Sequence, residues 1–269
     1  MPNKYFAVAG VATYVHHTGP TTLPDSVPDL RRGEVVLFLH GAGGNGNVYA
    51  GLLERLAAEH SPIAFDLPGH GRSGELDSLG SIERMAAFTR AFVERLGLRK
   101  PVLFGHSLGG AVAMRYALDH PDELRALVLC ATGASFHVAD AQIDRLRLVA
   151  EGKARREFNR QAYASSAPPE VLRQAFGEEL KTDPRARLGD VIAASEWNAA
   201  AEIGRISVPT LVVHGEEDAP QLAKEADVLV SGIAGAKKVV IPRAATGLPL
   251  EQPDALAEAV RAFLAELEP

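Results

Sequence analysis

The feature that most constrains the fold of this chain is the pentapeptide Gly105-His106-Ser107-Leu108-Gly109, which lies between an apolar run at 102–104 and a segment of helical period. Glycines around a serine permit a sharp strand-to-helix turn that lifts the serine side chain above a sheet and places its oxygen at a helix N-terminus. A glycine-rich phosphate-binding turn is the alternative, but the spacing fits neither G-x-G-x-x-G nor a P-loop. The sequence therefore predicts an exposed serine on such a turn.

Short apolar runs alternate with longer segments of helical period along most of the chain, which is typical of an α/β fold with a mostly parallel central sheet and flanking helices. The predicted buried strands lie at 35–39, 63–65, 102–104, 127–129, 211–213 and 239–241, and an antiparallel edge hairpin is predicted within 5–15. The predicted crossover helices are 48–58, 81–96, 108–120 and 254–267.

The stretch 135–204 breaks this alternation, because it is helical and charged and contains no convincing strand. We interpret it as an inserted helical cap. The predicted organisation is a core in two parts, residues 1–134 and 205–269, with the cap at 135–204 between them.

Composition limits the partners and the location of the protein. The 269 residues carry a formal net charge of −6, so we do not expect nucleic acid as a partner. The single cysteine, Cys130, excludes an internal disulfide and lies in an apolar run, which indicates a buried strand residue. No cleavable leader and no run long enough to span a bilayer are present, so we expect a cytoplasmic protein without a membrane partner.

Further motifs accompany the pentapeptide. His40-Gly41-Ala42-Gly43 follows a predicted strand, residues 66–73 have the sequence D-L-P-G-H-G-R-S, and Gly110 extends the turn to G-H-S-x-G-G. With these motifs the chain resembles the α/β-hydrolase family, and in particular its esterases and lipases, over about residues 35–267.

The resemblance implies a set of catalytic roles. Ser107 would be the nucleophile, and the backbone amides of Ala42 and Leu108 would form the oxyanion hole that stabilises negative charge on a substrate carbonyl oxygen. It implies that His40 braces the oxyanion loop. His70 and Arg72 are expected to be structural, and a direct catalytic role for them is less favoured.

The resemblance places the acid of a catalytic triad at Asp218, which follows the predicted strand 211–213. The order of serine before acid along the chain suits the family. The short loop between Asp218 and Pro220 differs from the usual form, and Glu216 and Glu217 are weaker candidates for the acid.

The triad histidine is missing from its expected place. After the last predicted strand the family usually has I-P-x-A-G-H followed by E-x-P, and here the sequence 241–253 matches at both ends while Thr246 occupies the histidine position. Arg243 and Ala245 also depart from the pattern. A serine hydroxyl needs a base with a pKa near neutrality, which threonine lacks, and losing that base costs a factor on the order of 10⁶ in turnover.

A substitute base would have to come from another histidine, because none follows residue 214. We interpret all nine as packed or solvated residues, with His137, at the start of the cap, the one with the most freedom; they are His16, His17, His40, His60, His70, His106, His120, His137 and His214.

The predicted ligand is a small or medium, apolar, ester-like molecule. The candidate substrate contacts are His40, Gly41, Phe136 and Trp197. Aromatic residues of the cap, which include Tyr163 and Phe176, more often pack a cap against a core, and for them we favour that interpretation. No metal site and no cofactor are predicted, because the chain has no H-E-x-x-H, cysteine cluster or dinucleotide fingerprint.

The sequence thus favours a carboxylic-ester hydrolase that uses Ser107 with an impaired or atypical base. Two alternatives stay open: non-hydrolytic chemistry, such as a cyclase or lyase reaction in the same pocket, and ligand binding without catalysis.

Overall fold

The centre of the protein is an eight-stranded sheet with the strand order β1-β2-β4-β3-β5-β6-β7-β8. The structure is a computed structural model that describes residues 3–20, 23 and 26–267. The first two strands pair as an antiparallel hairpin whose second strand runs antiparallel to β4, and the other pairs are parallel. The strands are β1 (Asn3–Val8), β2 (Val11–His17), β3 (Val35–Leu39), β4 (Ser61–Phe65), β5 (Val102–His106), β6 (Ala126–Cys130), β7 (Thr210–Gly215) and β8 (Lys237–Ile241).

Helices connect the strands and cover both faces of the sheet. The α-helices within the described residues are α1 (Ala50–Leu56), α2 (Ile82–Leu96), α3 (Leu108–Asp119), α4 (Asp140–Ala150), α5 (Pro169–Glu179), α6 (Pro184–Glu196), α7 (Pro220–Gly232), α8 (Leu248–Glu251) and α9 (Pro253–Ala265). Short 3₁₀ helices lie at Gly46–Tyr49, Pro121–Glu123, Arg160–Ala162 and Ile203–Arg205.

The continuous apolar run of β3 shows why this sheet is buried on both faces. Val36 and Phe38 belong to a core cluster with residues of α1 and α9. Leu37 and Leu39 point the other way, into a cluster with residues of α2 and α3. Successive side chains of a strand alternate between faces, so a strand covered on both sides needs apolar residues throughout.

The predicted α/β class, the mostly parallel sheet and the edge hairpin are confirmed. Cys130 is buried at the end of β6, as predicted. Helix α7, which begins at Pro220 directly after the Asp218 loop, is not among the predicted helices. Proline is well suited to the first turn of a helix, where its missing N–H has no intrahelical partner to lose.

Helices α4, α5 and α6 lie between β6 and β7, in the segment for which the cap is predicted. Helix α4 packs against α6, and Ser135 and Asn198 form an isolated antiparallel bridge at the two ends of the segment. The division at 135 and 204 stays a prediction. Among the described residues, no helix is long and apolar enough to cross a membrane.

Candidate active site

Ser107 lies on a strained turn between β5 and α3. Its φ of +51° and ψ of −119° put a non-glycine residue in a sparsely populated region of backbone space. Three hydrogen bonds hold the turn: Ser107 N–H donates to the Cys130 carbonyl at 2.9 Å, and the Ser107 carbonyl accepts from Gly110 N–H at 2.8 Å and from Thr132 Oγ1 at 2.7 Å. The neighbouring strand thus fixes the direction of the serine side chain.

Two glycines of the motif let the turn pack tightly. A Cβ atom on Gly109 would lie 2.2 Å from the Leu39 carbonyl oxygen, and one on Gly110 would lie 2.4 Å from Thr132 Oγ1. Neither space admits a methyl group, so the close approach of α3 to β3 and β6 requires glycine at both positions.

The loop after β3 runs directly beside the serine. A Cβ atom on Gly41 would be 3.2 Å from Ser107 Cβ, and Ala42 lines the same cavity. The backbone N–H groups of Ala42 and Leu108 have no acceptor among the described residues. Both N–H groups are therefore available to donate to a ligand oxygen, which is the role that the resemblance implies for them.

His40 braces this loop from behind. The ring is fully buried, and its Nδ1 donates to the Gly41 carbonyl at 3.0 Å while Nε2 accepts from Leu67 N–H at 3.1 Å. Burial lowers the pKa of His40 to about 4, so the ring is neutral near pH 7. Both ring nitrogens of His40 bond backbone groups, so the predicted substrate contact would have to be made without them.

A buried charge network joins the same loop to α6. Asp190 Oδ2 accepts from Gly43 N–H at 2.9 Å and from His70 Nε2 at 2.8 Å, and Oδ1 accepts from Ser78 Oγ at 2.6 Å. His70 Nδ1 donates to the Pro68 carbonyl, so both ring nitrogens act as donors. Burial alone would lower the pKa of His70, but the adjoining Asp190 carboxylate outweighs it and the pKa is raised. His70 is thus structural in this geometry.

Asp218, the predicted triad acid, forms a hydrogen bond with Thr246, which occupies the predicted histidine position. Its Oδ1 accepts a 2.8 Å hydrogen bond from Thr246 Oγ1, and its Oδ2 accepts from Gly215 N–H at 2.8 Å. Burial raises the pKa of Asp218. The weaker candidates, Glu216 and Glu217, are exposed and accept from backbone N–H groups instead. Thr246 therefore supplies a hydrogen-bond donor to the Asp218 carboxylate. In a complete triad, the imidazole would be that donor.

A cavity of about 210 Å³ opens above Ser107. Its lining combines apolar side chains with a charged rim, in which Arg187 pairs with Glu179 at 2.8 Å. The lining residues beyond the Ser107 turn and the Gly41 loop are Val48, Asn159, Ala162, Tyr163, Ala175, Glu178, Glu179, Arg187, Thr246, Gly247, Pro249 and Leu250. Tyr163 is thus the aromatic residue of the segment 135–204 that lines this cavity.

Two other candidate contacts are not at this cavity. Trp197 is only 6% exposed, and its Nε1 donates to the Gly133 carbonyl at 3.3 Å within the core cluster. Phe136 packs against the same cluster. Neither side chain lines the cavity above Ser107, because both pack against the core cluster, and their role as substrate contacts stays a prediction. Gly41 does line the cavity.

Sequence reasoning missed Asp190 and the pair Arg187–Glu179. The Gly43 partner of Asp190 is distant in sequence, and Arg187 and Glu179 belong to two different helices. No local motif marks any of these residues. The described residues contain no group of three or more histidine, cysteine, aspartate or glutamate residues arranged to hold a metal ion.

A mostly parallel sheet with a serine on a strained strand-to-helix turn defines the hydrolase-fold class of proteins. A family model for the alpha/beta hydrolase fold matches residues 34–246, and the chain belongs to this family.

Several known proteins are similar to it. A pimeloyl-[acyl-carrier protein] methyl ester esterase of Neisseria meningitidis is 30% identical over 262 residues, which cover 90% of this chain and 96% of that protein. The dihydrolipoyllysine-residue acetyltransferase component of the acetoin cleaving system of Cupriavidus necator is 36% identical over 96 residues, and only 26% of its length is covered. A thermophilic esterase of Thermogutta terrifontis, solved with malate bound, has a TM-score of 0.85 and 26% identity over 100% of both chains.

Proposed function

We propose that this protein is a carboxylic-ester hydrolase in which Ser107 is the nucleophile and the base is impaired. The observation that carries the proposal is that Ser107 and Ala42 line one cavity, while the backbone amides of Ala42 and of Leu108, the residue after Ser107, have no acceptor among the described residues. A carbonyl oxygen that becomes negatively charged during attack is stabilised by such fixed donors. The relatives named as esterases support this class of reaction.

The impairment follows from the chemistry of Thr246. Its hydroxyl has no basic character near neutral pH, and it donates a hydrogen bond to the Asp218 carboxylate. The remaining contributions are the oxyanion donors and the binding of the substrate, which in comparable triads leave about 10³–10⁴-fold catalysis over water. We therefore expect slow turnover of ordinary esters and faster turnover of activated ones.

The cavity indicates a small substrate. Its volume of about 210 Å³ is below the roughly 300–1,000 Å³ of pockets that enclose drug-sized ligands. Val48, Tyr163 and Leu250 supply apolar walls, while the Arg187–Glu179 pair gives one side polarity without net charge. Esters with a short acyl or alkyl group fit these properties best.

One observation favours a second function, namely ligand binding without turnover. The Thr246–Asp218 hydrogen bond leaves the triad acid with a satisfied partner, as in a site that no longer needs an imidazole. The two functions differ in whether Ser107 becomes acylated.

The test is covalent labelling with a fluorophosphonate probe, followed by mass spectrometry, together with hydrolysis of p-nitrophenyl acetate. We expect labelling on Ser107 and slow ester hydrolysis, both of which disappear in Ser107→Ala. Equal hydrolysis by the wild type and Ser107→Ala would overturn the proposal. Tight binding of a short ester without any labelling of Ser107 would establish the second function.

A further inference from the structure

His106 is the histidine that lies at the Ser107 cavity. Its ring is the sole imidazole in the cavity lining formed by described residues. His16, His40, His70 and His214 are buried and hold a carboxylate or a backbone group, and His137 is exposed.

The hydrogen bonds of His106 fix its tautomer. Nε2 lies 2.7 Å from the carbonyl oxygen of Thr246, and a carbonyl oxygen only accepts, so Nε2 carries the proton. The neutral ring then has its lone pair on Nδ1, which has no hydrogen-bond partner among the described residues. Burial lowers the pKa of His106, so the ring is neutral near pH 7.

The free nitrogen is close to the serine. The position of a Cβ atom on Gly41 lies 3.6 Å from His106 Nδ1 and 3.2 Å from Ser107 Cβ. Both groups therefore lie within 4 Å of one point beside Gly41, and both residues line the same cavity. A single water molecule in the cavity can connect Nδ1 with the Ser107 hydroxyl, and proton transfer to a base through one water is within catalytic reach.

We infer that His106 is the general base of this site and takes over the task of the histidine missing at Thr246; the inference rests on the proposed ester hydrolysis. As Ser107 Oγ forms a bond to the ester carbonyl carbon, its proton moves to His106 Nδ1, directly or through one water. The tetrahedral intermediate collapses by breaking the bond to the leaving oxygen, which takes that proton. In the second half, water attacks the acyl-enzyme, gives its proton to Nδ1, and Ser107 Oγ recovers it on leaving.

The position of Thr246 supports this arrangement. Its backbone carbonyl holds Nε2–H and stabilises the imidazolium that forms during attack, which is the task of the acid in an ordinary triad. The threonine side chain is shorter than the histidine expected at this position. It therefore leaves room in the cavity for the ring of His106 and the substrate.

The test compares His106→Gln with the matched change His137→Gln at an exposed site. Glutamine keeps an N–H donor for the Thr246 carbonyl but has no basic nitrogen, so His106→Gln separates the base from the structural contact. We expect the rate of p-nitrophenyl acetate hydrolysis and the rate of fluorophosphonate labelling to fall about 10²–10⁴-fold in His106→Gln and to change less than about 2-fold in His137→Gln.

A second background distinguishes a base from a structural role. In Thr246→His, where a new imidazole is available, adding His106→Gln should cost less than about 10-fold. Loss of activity of similar size in both backgrounds would show a structural role and overturn the inference, as would wild-type activity in His106→Gln. Because Ser107→Ala alone tests the hydrolysis, an inactive Ser107→Ala beside a fully active His106→Gln would refute only the role of His106.

Discussion

Replacing Thr246 by histidine should increase ester hydrolysis. The Thr246 hydroxyl already reaches Asp218 Oδ1 at 2.8 Å, so a side chain at this position starts in the right direction to place an imidazole N–H on the carboxylate. Thr246 also lines the cavity above Ser107, so the new imidazole can extend into that cavity towards the serine.

The size of the gain follows from what is already present. A positioned general base contributes about 10²–10⁴-fold, which corresponds to about 3–5.5 kcal/mol of transition-state stabilisation. Because His106 would already supply part of this effect, we expect kcat/KM for p-nitrophenyl acetate to rise by only about 10–10²-fold in Thr246→His. The matched control is Thr246→Asn, which is similar in size and polarity but not basic, and it should show no gain.

The gain should also depend on Asp218. Because the carboxylate would orient the new imidazole and stabilise its charged form, Thr246→His combined with Asp218→Asn should lose most of the increase. Stopped-flow and steady-state absorbance at 405 nm measure both rates. A Thr246→His variant that is folded but no faster than Thr246→Asn would refute the assignment of this position to the triad base.

Three further expectations concern stability. Gly110→Ala should lower the free energy of unfolding by about 1–3 kcal/mol through overpacking, while Gly177→Ala, in a helix with open space at the new methyl, should raise it by about 0.5–1 kcal/mol; urea denaturation measures both. Asp190→Asn should cost about 3–5 kcal/mol at pH 6. Because the folded pKa of His70 is raised, the stabilisation from this pair is complete below the ordinary histidine pKa and is lost as pH rises through the folded pKa, so the difference from wild type should shrink in denaturation at higher pH. Trp197→Ala should cost about 3–5 kcal/mol and leave KM for p-nitrophenyl acetate unchanged, and a raised KM with unchanged stability would contradict its placement in the core.

The sheet and the Ser107 turn could be predicted because local sequence determines them. A continuous apolar run such as 35–39 indicates a strand covered on both faces, and the glycines around Ser107 permit a tight turn that larger residues would block. Helix α7 is not among the predicted helices, although Pro220, directly after the short Asp218 loop, is a residue type that often begins helices.

The interior of the site was harder to predict, because its contacts join distant residues. Asp190 meets the Gly43 amide across 147 positions of sequence, and no periodicity records such a contact. His40 and Trp197 were placed at the substrate by their chemical types, whereas burial turned both towards the protein interior. His106 sits within the motif itself, but only the cavity shows which way its ring points.

The Asp190 network has a consequence for how ligands enter. Helix α4 has no buried residues and α5 buries only Ala175, whereas α6 buries five residues and carries the carboxylate that binds the Gly43 amide. An outward movement of α6 would leave the buried His70 imidazolium without its carboxylate partner. It would also release the loop that carries Ala42. We therefore expect ligands to reach Ser107 through movement of α5, which lines the cavity, while α6 stays in place and keeps the loop that carries Ala42 fixed.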